Sequence, residues 1–205
     1  MDTGEIITLK TPITERDHVT GGAHAPVTLL EYGNFECVDC GIAYPILKHI
    51  RKELGDDLRF VFRNFPSTRS NPNALRAAEA AEAGAAQGRF WEMHDELFEH
   101  QNGLDDFHLK HYAGLAHLDV SRFEQDMEQH SFLKQIEADY QSSLFVEHIT
   151  GTPTFYINNL RYTGNIEVES ILQVIKDADK EGKISSLKEH SRFRDLISRF
   201  KLKDR

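Results

Sequence analysis

The sequence predicts an α/β chain in which an all-helical segment interrupts a small sheet. Three observations lead to this prediction. A strand, a helix and a second strand follow one another within residues 27–65, helical periodicity continues for about 80 residues after them, and a strand hairpin with a final helix follows residue 151. The composition agrees, because 205 residues with 40% hydrophobic side chains suffice for one large core or two modest ones.

Residues 1–66 are assigned to an N-terminal arm and the first half of the sheet domain. The run at residues 6–10 is expected to form an edge strand or an arm. The aliphatic and β-branched run at residues 27–32 lies between Pro26 and Gly33, which predicts a buried strand.

A helix is predicted from Cys40 to Gly55, and a second strand follows it at residues 58–65. Pro45 lies inside the helix and should kink it. A strand, a helix and a strand in about 40 residues form a βαβ unit with a parallel crossover. The expected buried face of the helix consists of Ile42, Ile46, Leu47, Ile50 and Leu54.

Residues 67–148 are predicted to form the helical insertion domain. Eight of the thirteen residues at 74–86 are alanine, the strongest helix former. Helices are expected at residues 74–86, 90–100, 105–116, 121–130 and 132–149.

Residues 149–182 are predicted to complete the sheet domain. A strand is expected at 154–157, and Asn158-Asn159 is a good tight turn into a short strand at 160–163. An apolar stripe at residues 167–179 predicts the helix that closes the core.

The last segment, residues 183–205, is basic and amphipathic. Eight Lys and Arg against three Asp and Glu give it a net charge of +5, which leaves −14 for residues 1–182. The spacing of Phe193, Leu196, Ile197 and Phe200 predicts a short amphipathic helix. We expect it to pack against its own domain or a second subunit, which makes a homodimer reasonable. Binding to a membrane surface or an acidic partner is the alternative.

Charge and hydropathy exclude several functions. The net charge of −9 argues against a general nucleic-acid binder, because phosphate contacts need clustered Lys and Arg. No stretch approaches the roughly 18 apolar residues of a membrane-spanning helix, so no membrane span is expected. Residues 1–5 have neither the basic region nor the apolar core of a signal peptide, and we expect a cytoplasmic location.

The only two cysteines, Cys37 and Cys40, lie between a predicted strand and a predicted helix. Unpaired N–H groups at a helix N-terminus stabilise thiolate over thiol, so Cys37 should be the more acidic, attacking sulfur. Cys40, one turn inside the helix, should be buried and should resolve the mixed disulfide that Cys37 forms with a substrate. This spacing is typical of thiol–disulfide exchange.

Two inert thiols or half of a zinc site are the alternatives for this pair. The nearest spaced histidines, His94 with His100 and His108 with His111, lie in predicted helices far along the sequence. We therefore expect no metal.

With these motifs, the chain resembles the DsbA-like thiol–disulfide oxidoreductases from about Asp17 to Lys176. This family has a thioredoxin-like fold interrupted by an all-helical insertion domain. Together the motifs are specific, whereas the Cys-x-x-Cys alone would not be. They are Ala25 to Tyr32, Phe35 to Cys40, Phe60 to Pro66, Gly88 to Asp95 and Gly151 to Phe155.

The resemblance implies roles for three further residues and no cofactor. Pro153 would be cis and face the cysteine pair, and the Thr152 backbone would offer hydrogen bonds to an extended substrate. Glu31, six residues before Cys37, would be a buried proton acceptor for Cys40. An exposed strand glutamate is the alternative for Glu31.

The dipeptide between the cysteines departs from the family. Strongly oxidising members have a proline and a histidine or aromatic residue there, whereas this chain has Val38 and Asp39. A carboxylate close to Cys37 opposes its thiolate and weakens the stabilisation of the reduced form. We therefore expect an enzyme that is less oxidising than DsbA.

The predicted function is exchange of disulfides with protein or small-thiol substrates, with a separate redox partner that resets the Cys37/Cys40 dithiol. The alternative is a chaperone-like or peptide-binding module whose cysteine pair is redox-inert or binds metal. A glutathione-using isomerase is a third possibility, but those relatives lack the cysteine pair as their working group.

Overall fold

The structure is a computed structural model, and it describes residues 7–69 and 71–179. Its strands are β1 (His18–Gly21), β2 (Val27–Gly33), β3 (Leu58–Asn64), β4 (Thr154–Ile157) and β5 (Leu160–Tyr162). Its α-helices are α1 (Val38–Leu54), α2 (Ala74–Ala85), α3 (Phe90–Glu99), α4 (Asp106–Leu115), α5 (Val120–Glu128), α6 (Leu133–Phe145) and α7 (Val168–Ala178), with a 3-10 turn at Gly55–Asp57. The predicted tail at residues 183–205 lies outside the described residues.

The five strands form one sheet in the order β1-β3-β2-β4-β5. β1 pairs antiparallel with β3, and β4 pairs antiparallel with β5. The long insertion of α2 to α6 lies between β3 and β4 in sequence. The predicted fold class, a thioredoxin-like fold interrupted by helices, is therefore confirmed.

Residues 6–10 are predicted to form an edge strand or an arm, and the described part of this run is an arm against the β4–β5 hairpin. It has an isolated bridge between Thr8 and Leu160 and backbone hydrogen bonds from Leu9 to Asn159 and from Arg161 to Ile7, each 2.8 Å long. The edge strand is β1, which pairs from His18↔Phe62 to Gly21↔Arg59. Gly21 has φ +87°, and a Cβ on it would lie 1.9 Å from the carbonyl oxygen of Leu58. A close approach of two backbones thus fixes β1, and hydrophobic alternation cannot reveal that.

Helix α1 contains Pro45, as expected, but its buried face differs from the prediction. Ile42 is 57% exposed, and the buried side chains are those of Cys40, Ala43, Tyr44, Leu47, Ile50 and Leu54. At about 100° per residue, position 42 lies roughly 200° around the helix from position 40. Ile42 therefore points away from the face that contains Cys40.

The contacts divide the described chain into two compact units. One consists of residues 7–31, 45–62 and 155–179 and holds most of the sheet. The other consists of residues 32–44 and 63–154, and it holds both cysteines together with α2 to α6. The domain boundaries given by the sequence stay a prediction.

Within the second unit, α2 lies at the centre of the helical insertion. It packs against α3, α4, α5 and α6. Its alanines let neighbouring helices approach closely, since an alanine adds little width to a helix. The buried ones are Ala74, Ala77, Ala78, Ala80, Ala81 and Ala83.

The hairpin β4–β5 turns at the two residues that the sequence predicts. Asn158 and Asn159 have φ values of +46° and +68°, the left-handed conformation that a type I′ turn requires at both central positions. Asparagine tolerates this conformation better than most residues. Among the described residues, no helix combines the length and the hydropathy that crossing a membrane requires.

Candidate active site around Cys37 and Cys40

Cys37 lies at the N-terminus of α1, where its backbone closes two turns. Its N–H donates to the carbonyl of Asn34 at 3.0 Å, and its carbonyl accepts the N–H of Gly41 at 3.0 Å. The second bond is the first one of the helix, so Cys37 occupies the N-cap position. The Cys37 thiol is half-buried, whereas the Cys40 thiol is fully buried, and both are free thiols. Only one sulfur is thus open to a substrate.

Hydrogen bonds make Cys37 an acidic thiol. The pKa of Cys37 is lowered from its ordinary value of 9.0 to about 5, chiefly by a hydrogen bond from the Cys40 side chain. The Thr152 side chain and the backbone N–H groups of Cys40 and Asp39 also lower this pKa, and burial opposes them. The site therefore favours a thiolate on Cys37 at neutral pH.

A second segment of the chain faces Cys37. The Cys37 thiol donates to the carbonyl oxygen of Thr152 at 3.2 Å, and the Thr152–Pro153 peptide bond is cis. The Thr154 hydroxyl donates to the carbonyl of Gly151 at 2.7 Å, which closes the turn that presents Thr152. The structure thus brings the Thr152 carbonyl to the Cys37 sulfur. That the Thr152 backbone binds an extended substrate stays a prediction.

A polar network fixes the loop before Cys37. The Glu36 carboxylate accepts from the Asn73 backbone N–H at 2.6 Å and from its side-chain amide at 2.8 Å. Asn71 donates to the Glu36 carbonyl at 2.9 Å. The buried Asn34 accepts from the Glu36 N–H at 2.9 Å and donates to Asn71 at 3.2 Å. The network links this loop to the start of α2.

Sequence reasoning missed this network. The sequence signal is a proline between two asparagines, Asn71-Pro72-Asn73, which predicts a turn. It does not indicate that Asn73 binds Glu36, which lies 37 residues earlier. Asn34 directly after a strand is equally ambiguous, because asparagine there commonly serves only its own turn.

Gln101 is a further residue that the sequence does not single out. Its side-chain N–H₂ donates to the carbonyls of Phe35 at 2.8 Å and Cys37 at 3.0 Å. It lies in the loop between α3 and α4, and no motif marks a lone glutamine after a helix.

The other three predicted site residues, Glu31, Val38 and Asp39, differ in how far they are buried. Glu31 is buried in β2 with 2% exposure, so the exposed-glutamate alternative does not hold, and its role as proton acceptor stays a prediction. Val38 is 73% exposed, and Asp39 is also exposed. The effect of Asp39 on Cys37 comes from its backbone N–H, which lowers the pKa of Cys37. Its carboxylate is not among the groups that shift this pKa.

Aromatic side chains surround the buried end of this loop. The Phe35 ring lies 4.9 Å from Phe98 and 5.7 Å from the buried His94, and Tyr44 stacks on Phe98 at 5.2 Å. His94 is thus a packed aromatic residue. Within residues 7–69 and 71–179, no group of three or more His, Cys, Asp or Glu side chains is arranged to hold a metal ion.

Comparison with known families gives a match over most of the chain. Residues 13–177 match the model of a family described as thioredoxin. This range includes β1 to β5, both cysteines and the complete helical insertion.

Several solved structures have a similar fold. BdbD from Bacillus subtilis in its oxidised form has a TM-score of 0.74 at 24% identity, over 85% of this chain and 98% of that one. Alpha-DsbA1 from Wolbachia pipientis has a TM-score of 0.71 at 20% identity, over 83% and 94% of the two chains. A thioredoxin-like oxidoreductase from Silicibacter pomeroyi has a TM-score of 0.70 at 22% identity, over 82% and 94%. These likenesses concern the fold.

Curated relatives with higher sequence identity are longer proteins. The Na⁺/H⁺ antiporter NhaA 1 of Mycolicibacterium gilvum is 40% identical over 164 residues, which are 79% of this chain and 26% of that protein. The protein of the same name from Salinispora arenicola is 39% identical over 174 residues, or 84% and 26%. The chain thus spans about a quarter of the length of these relatives.

Proposed function

Since this chain belongs to the thioredoxin family, we propose that it is a thiol–disulfide oxidoreductase that works through the Cys37/Cys40 dithiol. One observation carries the proposal. Cys37 is a half-buried thiol with a pKa of about 5, and it lies beside a second, fully buried cysteine. An acidic, accessible thiol next to a sheltered one is the arrangement that attack and resolution require.

The proposed reaction has two exchange steps. The Cys37 thiolate attacks one sulfur of a substrate disulfide, so a bond from Cys37 to that sulfur forms and the substrate S–S bond breaks. The released substrate thiolate takes a proton. Cys40 then gives up its proton and attacks Cys37, which forms the Cys37–Cys40 disulfide and releases the second substrate thiol. The substrate gains two electrons, the dithiol loses them, and the reverse sequence oxidises a substrate dithiol.

Protein disulfides are the proposed substrates, with small disulfides as the alternative. Val38, which follows Cys37 in the sequence, and Ile42, one turn further along α1, are exposed apolar side chains, at 73% and 57%. A substrate segment that is joined to Cys37 can cover them, and the Thr152 carbonyl offers an acceptor on its other side. Glu31 is the proposed proton acceptor for Cys40, and a separate redox partner resets the dithiol.

We also propose that the protein is less oxidising than DsbA. A Cys37 pKa of about 5 lies between the values of about 3.5 for DsbA and about 7 for thioredoxin. A lower pKa of the attacking thiol stabilises the reduced form and raises the reduction potential. The support is therefore the acidity of Cys37, to which Asp39 contributes through its backbone N–H. Redox tuning by the side chains of Val38 and Asp39 remains part of the proposal.

The test is redox equilibration. The protein is incubated in a series of glutathione buffers, and the Cys37/Cys40 state is followed by thiol alkylation and the mass shift, with Cys37→Ser as control. We expect a reversible transition between about −120 and −270 mV. If the cysteine pair does not oxidise in any buffer of the series, and its thiols react with the alkylating reagent only after a chelator is added, the result would instead support a metal-binding pair.

A cytoplasmic location and a homodimer are further proposals. Fractionation of the host cells tests the first, and recovery with the cell envelope would contradict it. Sedimentation of the full chain with and without residues 183–205 tests the second. A dimer that the truncation abolishes is the expected result, and a monomeric full chain would contradict it.

A further inference from the structure

The loop between α3 and α4 places one amide against the backbone that carries the nucleophile. The Gln101 N–H₂ group has two hydrogens, and the carbonyls of Phe35 and Cys37 lie 2.8 Å and 3.0 Å from it. Each hydrogen can therefore serve one carbonyl. Both carbonyls belong to the segment from Phe35 to Cys37. The Gln101 side chain therefore fixes the orientation of two peptide planes in this segment.

The loop that carries Gln101 is itself held in place. The Gly103 N–H donates to the His100 carbonyl at 3.0 Å, and the His100 ring stacks on Tyr112 of α4 at 4.9 Å. Leu104 is buried. Gln101 thus extends from a loop that a backbone hydrogen bond, the stacking of His100 on Tyr112 and the buried Leu104 hold in place.

Gly41 supplies the space that the amide occupies. A Cβ on Gly41 would lie 1.9 Å from Oε1 of Gln101 and 2.7 Å from its Cδ. Any other residue at position 41 would therefore displace this amide. Glycine inside a helix costs about 1 kcal/mol relative to alanine, so its presence in α1 needs a reason, and room for Gln101 is one.

We propose that Gln101 is a positioning residue for the Cys37 nucleophile and that Gly41 is the glycine that admits it. The amide holds the Phe35 and Cys37 carbonyls, so that the helix N-terminus keeps its N–H groups directed at the Cys37 sulfur. It also compensates two carbonyl dipoles close to a developing thiolate. Loss of the amide therefore weakens the stabilisation of the thiolate, although no residue that touches the substrate has changed. This inference rests on the proposed function in one respect, that Cys37 is the nucleophile.

The experiment compares two single variants with their combination. Gln101→Met keeps the length of the side chain and removes both donors, and Gly41→Ala pushes the amide away without altering it. The absorbance of the Cys37 thiolate at 240 nm is titrated against pH in the reduced protein, with Cys37→Ser as the blank. We expect each single variant to raise the titration midpoint by about 0.5 to 1 unit, the size of one net hydrogen bond. The double variant should shift the midpoint no further, because both changes remove the same contact.

Matched controls separate positioning from general stability. Gln135→Met changes an exposed glutamine of α6, and Gly114→Ala adds a Cβ to a helical glycine of α4 that has open space around it. Neither control should move the midpoint. Urea unfolding should show that Gly114→Ala keeps or gains stability, because its Cβ meets open space, whereas Gly41→Ala loses the hydrogen bonds of the displaced amide. Only Gly41→Ala should change the titration.

Two outcomes would overturn the inference: a Gln101→Met midpoint equal to that of the wild type, or additive shifts in the double variant. If Gln101→Met does not fold, Gln101→Glu replaces it and should raise the midpoint at least as much, because it sets a carboxylate against two carbonyls. The titration needs no turnover. A protein that titrates as expected but exchanges no disulfide would refute the proposed function, whereas the effect of Gln101 on the Cys37 thiolate would still stand.

Discussion

The Sγ atom of Cys37 lies 3.2 Å from the carbonyl oxygen of Thr152, although 115 residues separate them in the sequence. Most of the intervening chain is the helical insertion. The second unit therefore contains both the residue that attacks and the segment that faces it. The chemistry of Cys37 depends on how this unit folds, and the following predictions address its parts.

The Thr152 hydroxyl should contribute to the acidity of Cys37. Thr152→Val keeps the shape of the side chain and removes its donor, so the pKa of Cys37 should rise by about half a unit. Thiolate absorbance against pH measures this change. Thr163→Val, at an exposed position outside the site, should leave the pKa unchanged. An unaltered pKa in Thr152→Val would mean that the hydroxyl does not donate to the sulfur.

Cys40→Ala should have two effects. It removes the largest contribution to the lowered pKa of Cys37, so this pKa should rise from about 5 towards the ordinary value of 9.0. It also removes the resolving sulfur, so mixed disulfides between Cys37 and glutathione should persist. Mass spectrometry after exposure to glutathione disulfide, with wild type alongside, detects the adduct. Equal adduct lifetimes in the two proteins would exclude Cys40 as the resolving thiol.

The stability of the reduced protein should depend on pH through Cys37. Its pKa is about 5 in the folded protein and 9.0 in the ordinary, unfolded state, so between these values the unfolded chain binds more protons. The free energy of unfolding should therefore rise with pH from 5 to 9, and the contribution should be lost as the pH falls through 5. Urea unfolding at pH 5, 7 and 9 under reducing conditions measures it. Subtraction of the Cys37→Ser curve isolates the effect, and a flat difference would contradict it.

Glu36→Gln should destabilise the loop before Cys37. The carboxylate accepts two hydrogen bonds from Asn73, and a glutamine side chain offers only one acceptor oxygen. We expect the free energy of unfolding to fall by about 1 to 2 kcal/mol in urea titrations, because hydrogen bonds to charged groups are the stronger ones. Glu137→Gln, on the exposed side of α6, is the matched control. Equal losses in both variants would show that the network adds no stability.

The sequence predicts the regular elements well because their signals are local. The periodicity of α2 to α7, the Asn158-Asn159 turn and the β2 run are each read within a dozen residues, and the structure has all of them. β1 is different. It is held by pairing with β3 and by the close backbone approach at Gly21, and neither leaves a pattern in residues 18–21.

Part of the candidate site could likewise be predicted from the sequence, and part of it could not. Cys37, Cys40 and the Thr152–Pro153 pair carry motifs, whereas the contacts that hold the loop come from Asn73 and Gln101, whose partners are distant in the sequence. The groups that set the pKa of Cys37 also differ from the one that the sequence suggests. The sequence directs attention to the charge of Asp39, but the groups that shift the pKa are hydrogen-bond donors, among them the backbone N–H of Asp39 itself. Their directions depend on the folded loop.

The contrast between one acidic, half-buried sulfur and one fully buried sulfur makes the reduced protein a convenient substrate for site-selective labelling. Near pH 6, ordinary cysteines are protonated and react slowly with iodoacetamide or maleimide reagents, whereas Cys37 is mostly ionised. A fluorophore or spin label can therefore be attached at this one position without removing the other cysteine. Such a probe would lie beside Thr152 and would report directly on the arrival of a binding partner.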